Sequence, residues 1–366
     1  MVIGQDVGLQ TTGSISCSQR LRLARATYEA GRLHELVGTI LGDDAKGCFF
    51  GTDVNNTFSK QEKVDALKLI TLAYIYLEEP EKADASMLQL LKTDHFYDPD
   101  KNADPAEYLA LYNTFRTHPI LSYGIKVGGT ATFAHLLRNY VVGGQAEGQG
   151  KYLPGYSVAG GVFVERELFP YSPKKLLHNT IALAEVFMHL RPNKITSDQL
   201  FINPKTGGTA GQSEFKAKST WLDLNLILRY RLNKDHHLDP YIGIGPSISY
   251  LLAYNWDLPQ TQPKNINEEI ESTVTGRAVD VKSAYNKITN SITIMGGGRV
   301  RLGEFYFNVE ARYQYGLYNI VSSKNRFVEE LVMKYQTTIN DYRQSNFVIN
   351  VGATIPQFVP KKKKKK

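Results

Sequence analysis

The sequence lacks the long hydrophobic runs of helical membrane proteins, and it has little cysteine. None of its 366 residues belongs to a stretch approaching the ~18 consecutive apolar residues of a membrane-spanning helix. The two cysteines, Cys17 and Cys48, are too few for a disulfide framework, and neither has a histidine or cysteine at zinc-ligand spacing. Helical membrane proteins, disulfide-rich scaffolds and zinc modules are therefore excluded. A membrane β-barrel is not excluded, because its alternating strands do not raise a hydropathy average.

The two cysteines leave two alternatives open. Both lie in a segment whose apolar spacing is helical. In an oxidising compartment they can form a disulfide between two helices. Otherwise they are expected to be two buried, inert thiols.

An excess of charge of one sign is also missing from most of the chain. Lysine and arginine number 43 against 36 aspartate and glutamate, but six of the basic residues form the terminal run 361–366. Removing those six from the 43 leaves 37 against 36, so the basic character of the whole chain does not indicate a nucleic-acid partner. We expect the lysine run to be disordered and to contact anionic lipid headgroups.

Motifs that carry catalysis are absent as well. The chain has no phosphate-binding loop, dinucleotide-binding fingerprint, zinc motif or nucleophile elbow. His236 and His237 precede Asp239 in a short polar connection, which favours a solvated turn over a metal site. We therefore expect no catalytic residue, no metal, no cofactor and a non-enzymatic role.

Residues 17–117 have the spacing of amphipathic helices. The preceding residues, 1–16, contain neither the basic region nor the apolar core of a complete secretory signal, and we interpret them as a signal remnant and linker. Ser59 followed three residues later by Glu62 is a capping box, and Pro80 suits a first helical turn. These features predict a periplasmic helical domain over 17–117.

From residue 119 the apolar period changes from 3.6 to 2, which is typical of β-strands. In the fourth strand Leu222, Leu224 and Leu226 share one face, while Asp223 and Arg229 share the other. Eight segments alternate in this way, and each is long enough to cross the hydrocarbon as a tilted strand. The predicted strands are residues 121–133, 157–168, 180–191, 221–232, 241–252, 291–302, 305–318 and 347–355.

The connections between the eight strands alternate in length. Those after the second, fourth and sixth strands are short, and those after the first, third, fifth and seventh are long and polar. This asymmetry is typical of outer-membrane barrels, whose short turns and termini lie in the periplasm. The predicted fold class is α+β: a helical-hairpin domain, an eight-stranded antiparallel transmembrane β-barrel over residues 119–358, and a basic tail over 359–366.

The polar faces of the strands carry charges of both signs. An eight-stranded barrel is just wide enough for side chains to fill it, and a buried charge without a partner costs several kcal/mol. We therefore expect a plugged, ion-paired interior without a pore, and apolar faces that contact lipid between two aromatic girdles. The predicted interior network comprises Lys126, Glu165, Glu185, Asp223, Arg229, Arg299, Glu310 and Arg312, with Glu167, Arg231 and Arg301 on the same faces.

These patterns resemble a known family. The chain is similar to the PorT-like outer-membrane β-barrel proteins of Bacteroidota. The similarity lies in the strand pattern over about 120–358 and in two helical segments, ARATYEAGRLHELV and ALKLITLAYIYLEEPEKADASMLQLL. Tyr74 and Ala83, nine residues apart, stand as in a tetratricopeptide repeat. Some members of the PorT-like class work in type IX secretion and gliding motility. The resemblance therefore implies an accessory role in such an envelope machine.

The resulting hypothesis is an outer-membrane barrel that anchors a periplasmic protein-interaction domain. Tetratricopeptide-like helix pairs form grooves in which a peptide or protein can dock. The predicted partner-binding residues are Tyr74, Tyr76, Glu78 and Glu79. The simpler alternative is that these helices only pack on one another and bind no partner. The expected partners are other envelope proteins on the periplasmic side, with outer-membrane lipid around the barrel. Two rival functions stay open: a lipid-modifying enzyme with His189 as its base, and a surface adhesin that acts through the long loops.

Overall fold

The chain folds into two compact units, as seen in a computed structural model. One unit contains the residues up to His118 together with those from Phe358 onward, and the other runs from Pro119 to Gln357. The first unit therefore takes residues from both ends of the chain, and Phe358 belongs to it rather than to the strand unit. The structure describes residues 15–42, 46–50, 57–140, 151–197, 213–232, 238–257, 259–265, 268–275, 278–329, 331–332 and 338–363.

The first unit is helical, so the predicted N-terminal helical region is confirmed. Gly31, between the first two helices, has a φ of 71°, a conformation that glycine adopts without strain, and the chain reverses there. None of the helices in the described ranges has the length and apolar character needed to cross a membrane. The helices are α1 Cys17–Glu29, α2 Leu33–Leu41, α3 Lys46–Phe50, α4 Lys60–Tyr76, α5 Pro80–Thr93 and α6 Ala106–Asn113.

Capping boxes begin α1 and α4. The Ser59 hydroxyl accepts from the Glu62 N–H, and the Glu62 carboxylate accepts from the Ser59 N–H at 2.9 Å. Ser16 and Gln19 make the same pair of bonds at α1. The Ser18 hydroxyl donates to the Glu62 carboxylate at 2.6 Å, which joins α1 to α4. The hydrogen bond from Ser18, followed by that from the Ser59 backbone, lowers the pKa of Glu62.

The second unit is a closed ring of eight antiparallel strands, which confirms the predicted antiparallel β-barrel. Each barrel strand pairs with its neighbours along the chain, and the pairing of the first strand with the last closes the ring. The strands are β1 Leu121–Arg138, β2 Lys151–Glu167, β3 Thr180–Ser197, β4 Ser213–Arg231, β5 Leu238–Asp257, β6 Pro259–Asn265, β7 Glu268–Thr275, β8 Val279–Asp280, β9 Ile288–Leu302, β10 Phe305–Gly316 and β11 Asp341–Gln357. Of these, β6 and β7 form a separate hairpin, and β8 pairs with β5 beyond the ring.

The two rims of the barrel differ as the connection lengths predict. Short connections follow β2, β4 and β9, and the one after β2 contains a short helix, α7 Lys175–His178. The turn after β9 is two residues long, and Gly303 in it has a φ of 64°. Leu121 pairs with Gln357, so the barrel begins and ends at the same rim as these turns.

Several strands extend beyond their predicted ends on the long-loop side. β4 begins at Ser213 instead of Trp221, and β5 continues to Asp257 instead of Leu252. The alternation of apolar and polar residues marks only the part of a strand inside the apolar belt. Beyond that belt the outward positions become polar, as at Lys216 and Lys218, so the apolar face no longer marks the strand, and backbone hydrogen bonding between neighbouring strands decides where each strand ends.

The outer surface of the barrel is apolar and its interior is polar. Leu222, Leu224 and Leu226 are between 39% and 53% exposed, whereas Asp223 is fully buried and Arg229 is 1% exposed. A water-soluble barrel has the opposite arrangement. The outer belt is therefore built to contact hydrocarbon, with the charges enclosed.

Candidate functional site

Four charged side chains form the central cluster of the barrel interior: Lys126 on β1, Glu185 on β3, and Glu310 and Arg312 on β10. The Lys126 Nζ lies 3.0 Å from Glu310 Oε2 and 3.2 Å from Glu185 Oε2. Arg312 donates to both carboxylates, and the Tyr241 hydroxyl donates to Glu310 at 2.9 Å. All four charged residues are buried. Two cations and two carboxylates thus neutralise one another away from water.

A second group, the short-turn cluster, lies nearer the rim with the short connections. Arg229 on β4 pairs with Glu165 on β2. Arg299 on β9 bridges two carboxylates, with Nη1 at 3.0 Å from Glu165 Oε1 and Nε at 2.7 Å from Asp239 Oδ2. The cluster therefore connects four strands across the interior and leaves none of its four charges without a partner.

A third group, the loop-side cluster, surrounds Asp223. The Arg191 Nη2 donates to both oxygens of Asp223, at 2.7 and 2.6 Å, and Gln314 Nε2 donates to the same carboxylate at 3.2 Å. The Nδ1 of His189 lies 3.3 Å from Asp223 Oδ2. The side chain of His189 is 2% exposed and faces the barrel interior. The histidine considered as a base for lipid chemistry is therefore enclosed.

The interior charges balance. The eight residues of the predicted network all lie inside the barrel and make ion pairs there, and Arg231 pairs with Glu167 at 2.8 Å. On the inner faces of the barrel strands that the structure describes, six buried cations face five buried carboxylates and a sixth, Glu167, whose side chain is 8% exposed. The cations are Lys126, Arg191, Arg229, Arg231, Arg299 and Arg312, and the carboxylates are Glu165, Glu167, Glu185, Asp223, Asp239 and Glu310.

Sequence reasoning missed two members of this set, Arg191 and Asp239. Each lies two residues beyond the inward-facing positions His189 and Tyr241, so continuing the strand alternation would have found them. Arg301, predicted for the same face, is half-exposed at the rim, where its Nε donates to a carbonyl in the turn after β9 at 3.0 Å.

An apolar plug closes the long-loop end of the interior. Both tryptophans of the chain, Trp221 and Trp256, are buried in it. The Tyr342 hydroxyl donates to that of Tyr285 at 3.2 Å and also hydrogen-bonds the hydroxyl of Tyr254. The buried members of the plug are Ile195, Phe215, Ala217, Trp221, Leu251, Tyr254, Trp256, Val279, Val281, Ala284, Tyr285, Ile320, Val321, Leu331, Ile339 and Tyr342.

In the helical unit, Cys17 and Cys48 form a disulfide, with their Cα atoms 5.6 Å apart. The bond joins α1 to α3, and both residues are buried. Of the two alternatives that the sequence leaves open, the structure has the helix-to-helix bond.

The four predicted partner-binding residues lie at the end of α4 and in the turn that follows. Tyr74 is 9% exposed, packs in the helical core and lies under the Lys82 ammonium, 5.5 Å from its ring centre. It is therefore not part of a docking surface. Glu79 pairs with Lys82 at 2.6 Å. Tyr76, at 47% exposed, and Glu78 are the members that a partner could contact.

The C-terminal segment, residues 358–363, forms part of the helical unit. The Arg116 N–H donates to the Lys361 carbonyl at 2.9 Å, and the Lys363 N–H donates to the Thr114 carbonyl at 2.8 Å. The segment thus runs antiparallel to the residues after α6. The expectation of a disordered lysine run is wrong for residues 361–363, whose backbone pairs with the residues after α6, and residues 364–366 lie outside the described residues.

Side chains of the same segment contact α5 and the residues that follow it. The Phe358 ring packs edge-on against Phe96, with ring centres 5.0 Å apart, and lies 5.5 Å from the ring of His95. The Lys362 ammonium pairs with the Asp84 carboxylate. Phe358, the last residue of the predicted barrel range, therefore packs within the helical unit instead.

We predict that truncation after Gln357 lowers the free energy of unfolding of the helical unit by about 2 kcal/mol. The truncation removes the partly buried ring contact of Phe358 and a few backbone hydrogen bonds, which are worth about 0.5 to 1.5 kcal/mol each. Chemical denaturation followed by the helical circular-dichroism signal measures it. The matched control, Lys362→Ala, removes an exposed ion pair and should change little. A truncated chain as stable as the full one would contradict a structural role for the segment.

No group of three His, Cys, Asp or Glu side chains in the described parts of the chain is arranged to hold a metal ion. Asp239, weighed from the sequence as a metal ligand together with His236 and His237, instead forms an ion pair with Arg299. His236 and His237 lie outside the described residues.

Comparison with known proteins places the strand unit in a family. No curated protein matches the chain. Similar solved structures include OprG from Pseudomonas aeruginosa, 11% identical over 65% of this chain and 98% of that one, with a TM-score of 0.35. AlkL in lipid bilayers is 12% identical over 72% and 96%, with a TM-score of 0.35. Ail, the attachment invasion locus protein of Yersinia pestis, is 7% identical over 64% and 99%, with a TM-score of 0.27. The family model for the outer membrane protein beta-barrel domain matches residues 116–322, more than half of the chain, and the chain therefore belongs to that family.

Proposed function

We propose that the barrel is a non-enzymatic anchor in the outer membrane for a helical unit that binds other envelope proteins. The helical unit and both chain ends are placed on the periplasmic side in this proposal. The observation that carries it is the self-neutralised barrel interior, which leaves the helical unit as the part available for a partner.

The barrel interior offers little chemistry of its own. Each of the six buried cations has a carboxylate within 4.0 Å, and the apolar plug covers the long-loop end. Charges that are satisfied by one another do not select an ion or a substrate, and transport needs a continuous wet path. These features support a role in anchoring over conduction or catalysis.

The chain connectivity also supports anchoring. The barrel begins and ends at the short-turn rim, and the helical unit takes residues from both sides of the barrel sequence. The helical unit is thus covalently tied at two points, His118–Pro119 and Gln357–Phe358. In outer-membrane barrels the short-turn side is the periplasmic one.

The proposed contact surface is the exposed end of α4 around Tyr76 and Glu78. An exposed tyrosine beside a carboxylate offers both apolar area and a hydrogen-bonding edge, which interfaces use frequently. The tetratricopeptide-like interpretation of α4 and α5 stays a prediction. So does the role in type IX secretion or gliding, which rests on the resemblance to PorT-like proteins.

Site-specific photo-crosslinking in intact cells tests the proposal. A photoreactive amino acid at Tyr76 is expected to crosslink envelope proteins. The matched control is the same substitution at Phe327, which is 65% exposed on the long-loop side of the barrel and should not give those products. Identical products at both positions, or none at Tyr76 and none at Glu78, would contradict the proposal.

Orientation has its own measurement. Cysteines placed at Tyr76 and at Phe327 can be labelled in whole cells with a membrane-impermeant maleimide. We expect the Phe327→Cys chain to react at once and the Tyr76→Cys chain to react only after the outer membrane is permeabilised. The reverse order would place the helical unit outside the cell.

The rival functions predict other results. A lipid-modifying enzyme needs its base at the membrane interface, whereas His189 lies inside the barrel beside Asp223. Altered lipid chemistry in a null strain, not restored by a His189→Ala chain, would favour that rival. An adhesin predicts ligand binding that depends on the long loops and persists when residues 17–117 are deleted.

A further inference from the structure

One cation lies on the otherwise uncharged part of the lipid-facing surface. In the described barrel strands, the outward-facing positions of the short-turn half are apolar or neutral with the single exception of Arg166 on β2. Its side chain is exposed and makes no ion pair with any residue that the structure describes. A charge facing hydrocarbon is unfavourable unless it reaches water or an anion at the membrane surface.

A groove in the same surface begins beside Arg166. The residues that line it include Val164 and Arg166 on β2, Ala182 and Ala184 on β3, and Leu226 and Leu228 on β4, and they form an open groove of about 300 Å³. Arg166 is paired with Ala182, and Ala182 with Leu228, so these residues form one row across three strands. The row above consists of Val164, Ala184 and Leu226. Ala182 and Ala184 form the floor of the groove, because their side chains are smaller than those of the paired residues on β2 and β4 that form its two walls.

The connection after β2 adds the character of a membrane–water interface. It exposes Phe169, Leu176 and Leu177 together with Lys174 and Lys175. Aromatic, aliphatic and basic side chains mixed in this way are typical of segments at the level of lipid headgroups. Arg166 is the last outward strand residue before this connection, so we expect it at the level of the headgroup phosphates.

We propose that the groove binds one acyl chain of an anionic glycerophospholipid whose phosphate pairs with Arg166. The chain lies over Ala182 and Ala184 between the walls from β2 and β4. The planar guanidinium can donate two parallel hydrogen bonds to phosphate, which a neutral side chain cannot replace. A free phosphate shares the headgroup chemistry but does not fill the apolar groove.

Native mass spectrometry of the full-length protein tests the proposal. The protein is released from nanodiscs that contain equal amounts of phosphatidylglycerol and phosphatidylcholine, and the lipids that remain bound are counted. We expect one retained phosphatidylglycerol, and a ratio of the two lipids that falls about fivefold in Arg166→Gln. Arg166→Lys should keep most of the preference, because it keeps the charge.

Two further variants separate the groove from the charge. Ala184→Leu fills the groove while the surface stays apolar, and it should reduce retention of both lipids. Lys218→Gln is the matched control. It removes an exposed cation at the opposite end of β4, where Lys218 pairs with Asp257 at 2.7 Å, and it should change neither the lipid ratio nor the amount of lipid retained.

Equal lipid ratios in wild type and Arg166→Gln would overturn the proposal. Unchanged retention in Ala184→Leu, or displacement of the lipid by millimolar inorganic phosphate, would also overturn it, because either result describes an anion site without a chain groove.

Discussion

Replacing Glu310 with alanine is expected to lower the free energy of unfolding of the barrel by about 3 to 5 kcal/mol. The carboxylate accepts from Lys126, Arg312 and the Tyr241 hydroxyl. Its loss leaves Glu185 as the single carboxylate of the central cluster for two buried cations. Urea unfolding of the reconstituted full chain, followed by tryptophan fluorescence, measures the change, because both tryptophans lie in the barrel plug.

A double replacement separates the charge effect from the loss of packing. In Lys126→Met/Glu310→Gln one cation and one carboxylate disappear together, and Arg312 and Glu185 remain as a matched pair. The double variant should therefore lose less stability than Glu310→Ala. Val309→Ala, at the next position but on the outer face, is the control and should cost less than about 1 kcal/mol. If Glu310→Ala unfolds at the wild-type urea concentration, water reaches the interior and the ion pairs are not what stabilises it.

Removing the disulfide is expected to lower the free energy of unfolding of the helical unit by about 3.5 kcal/mol. The bond spans 31 residues, and a crosslink of that span restricts the unfolded chain more than the folded one. The Cys17→Ser/Cys48→Ser chain should therefore lose its helical circular-dichroism signal at a lower denaturant concentration than the wild type.

Reduction of the wild-type protein provides the control for side-chain replacement. A thiol reductant should shift the helical transition by a similar amount and should leave the serine variant unchanged. The fluorescence transition of the barrel should not move in either case, since neither cysteine belongs to the barrel. An unchanged helical transition on reduction would show that the loop between α1 and α3 is already constrained by packing.

Much of the barrel could be predicted because its side chains obey a period of two. Water is absent on the outer face, so nearly every outward position in the belt is apolar, and the polar positions between them had to be interior. Leu224 and Asp223 were assigned to opposite faces by this rule alone. The capping box at Ser59 and Glu62 was equally local, since it needs two residues three positions apart.

Other features were beyond the reach of a linear pattern. Tyr74 and Tyr76 lie two positions apart on α4, so helical spacing puts them on different faces, but the degree to which each face is covered depends on the packing of neighbouring helices. The strand extension from Trp221 back to Ser213 has only Phe215 and Ala217 as inward apolar residues, and its length follows hydrogen bonding with the adjacent strands.

The sequence by itself determined the helical region, the eight alternating strands, the difference in loop length between the two rims, and which face of each strand is apolar and which is polar. These depend on residue spacing, which local geometry converts directly into surfaces. The tertiary structure alone decided which carboxylate neutralises which cation, that Cys17 meets Cys48, and that residues 358–363 return to the helical unit. The partners in those contacts are far apart in the chain, and only closure of the ring and packing of the helices bring their atoms within bonding distance.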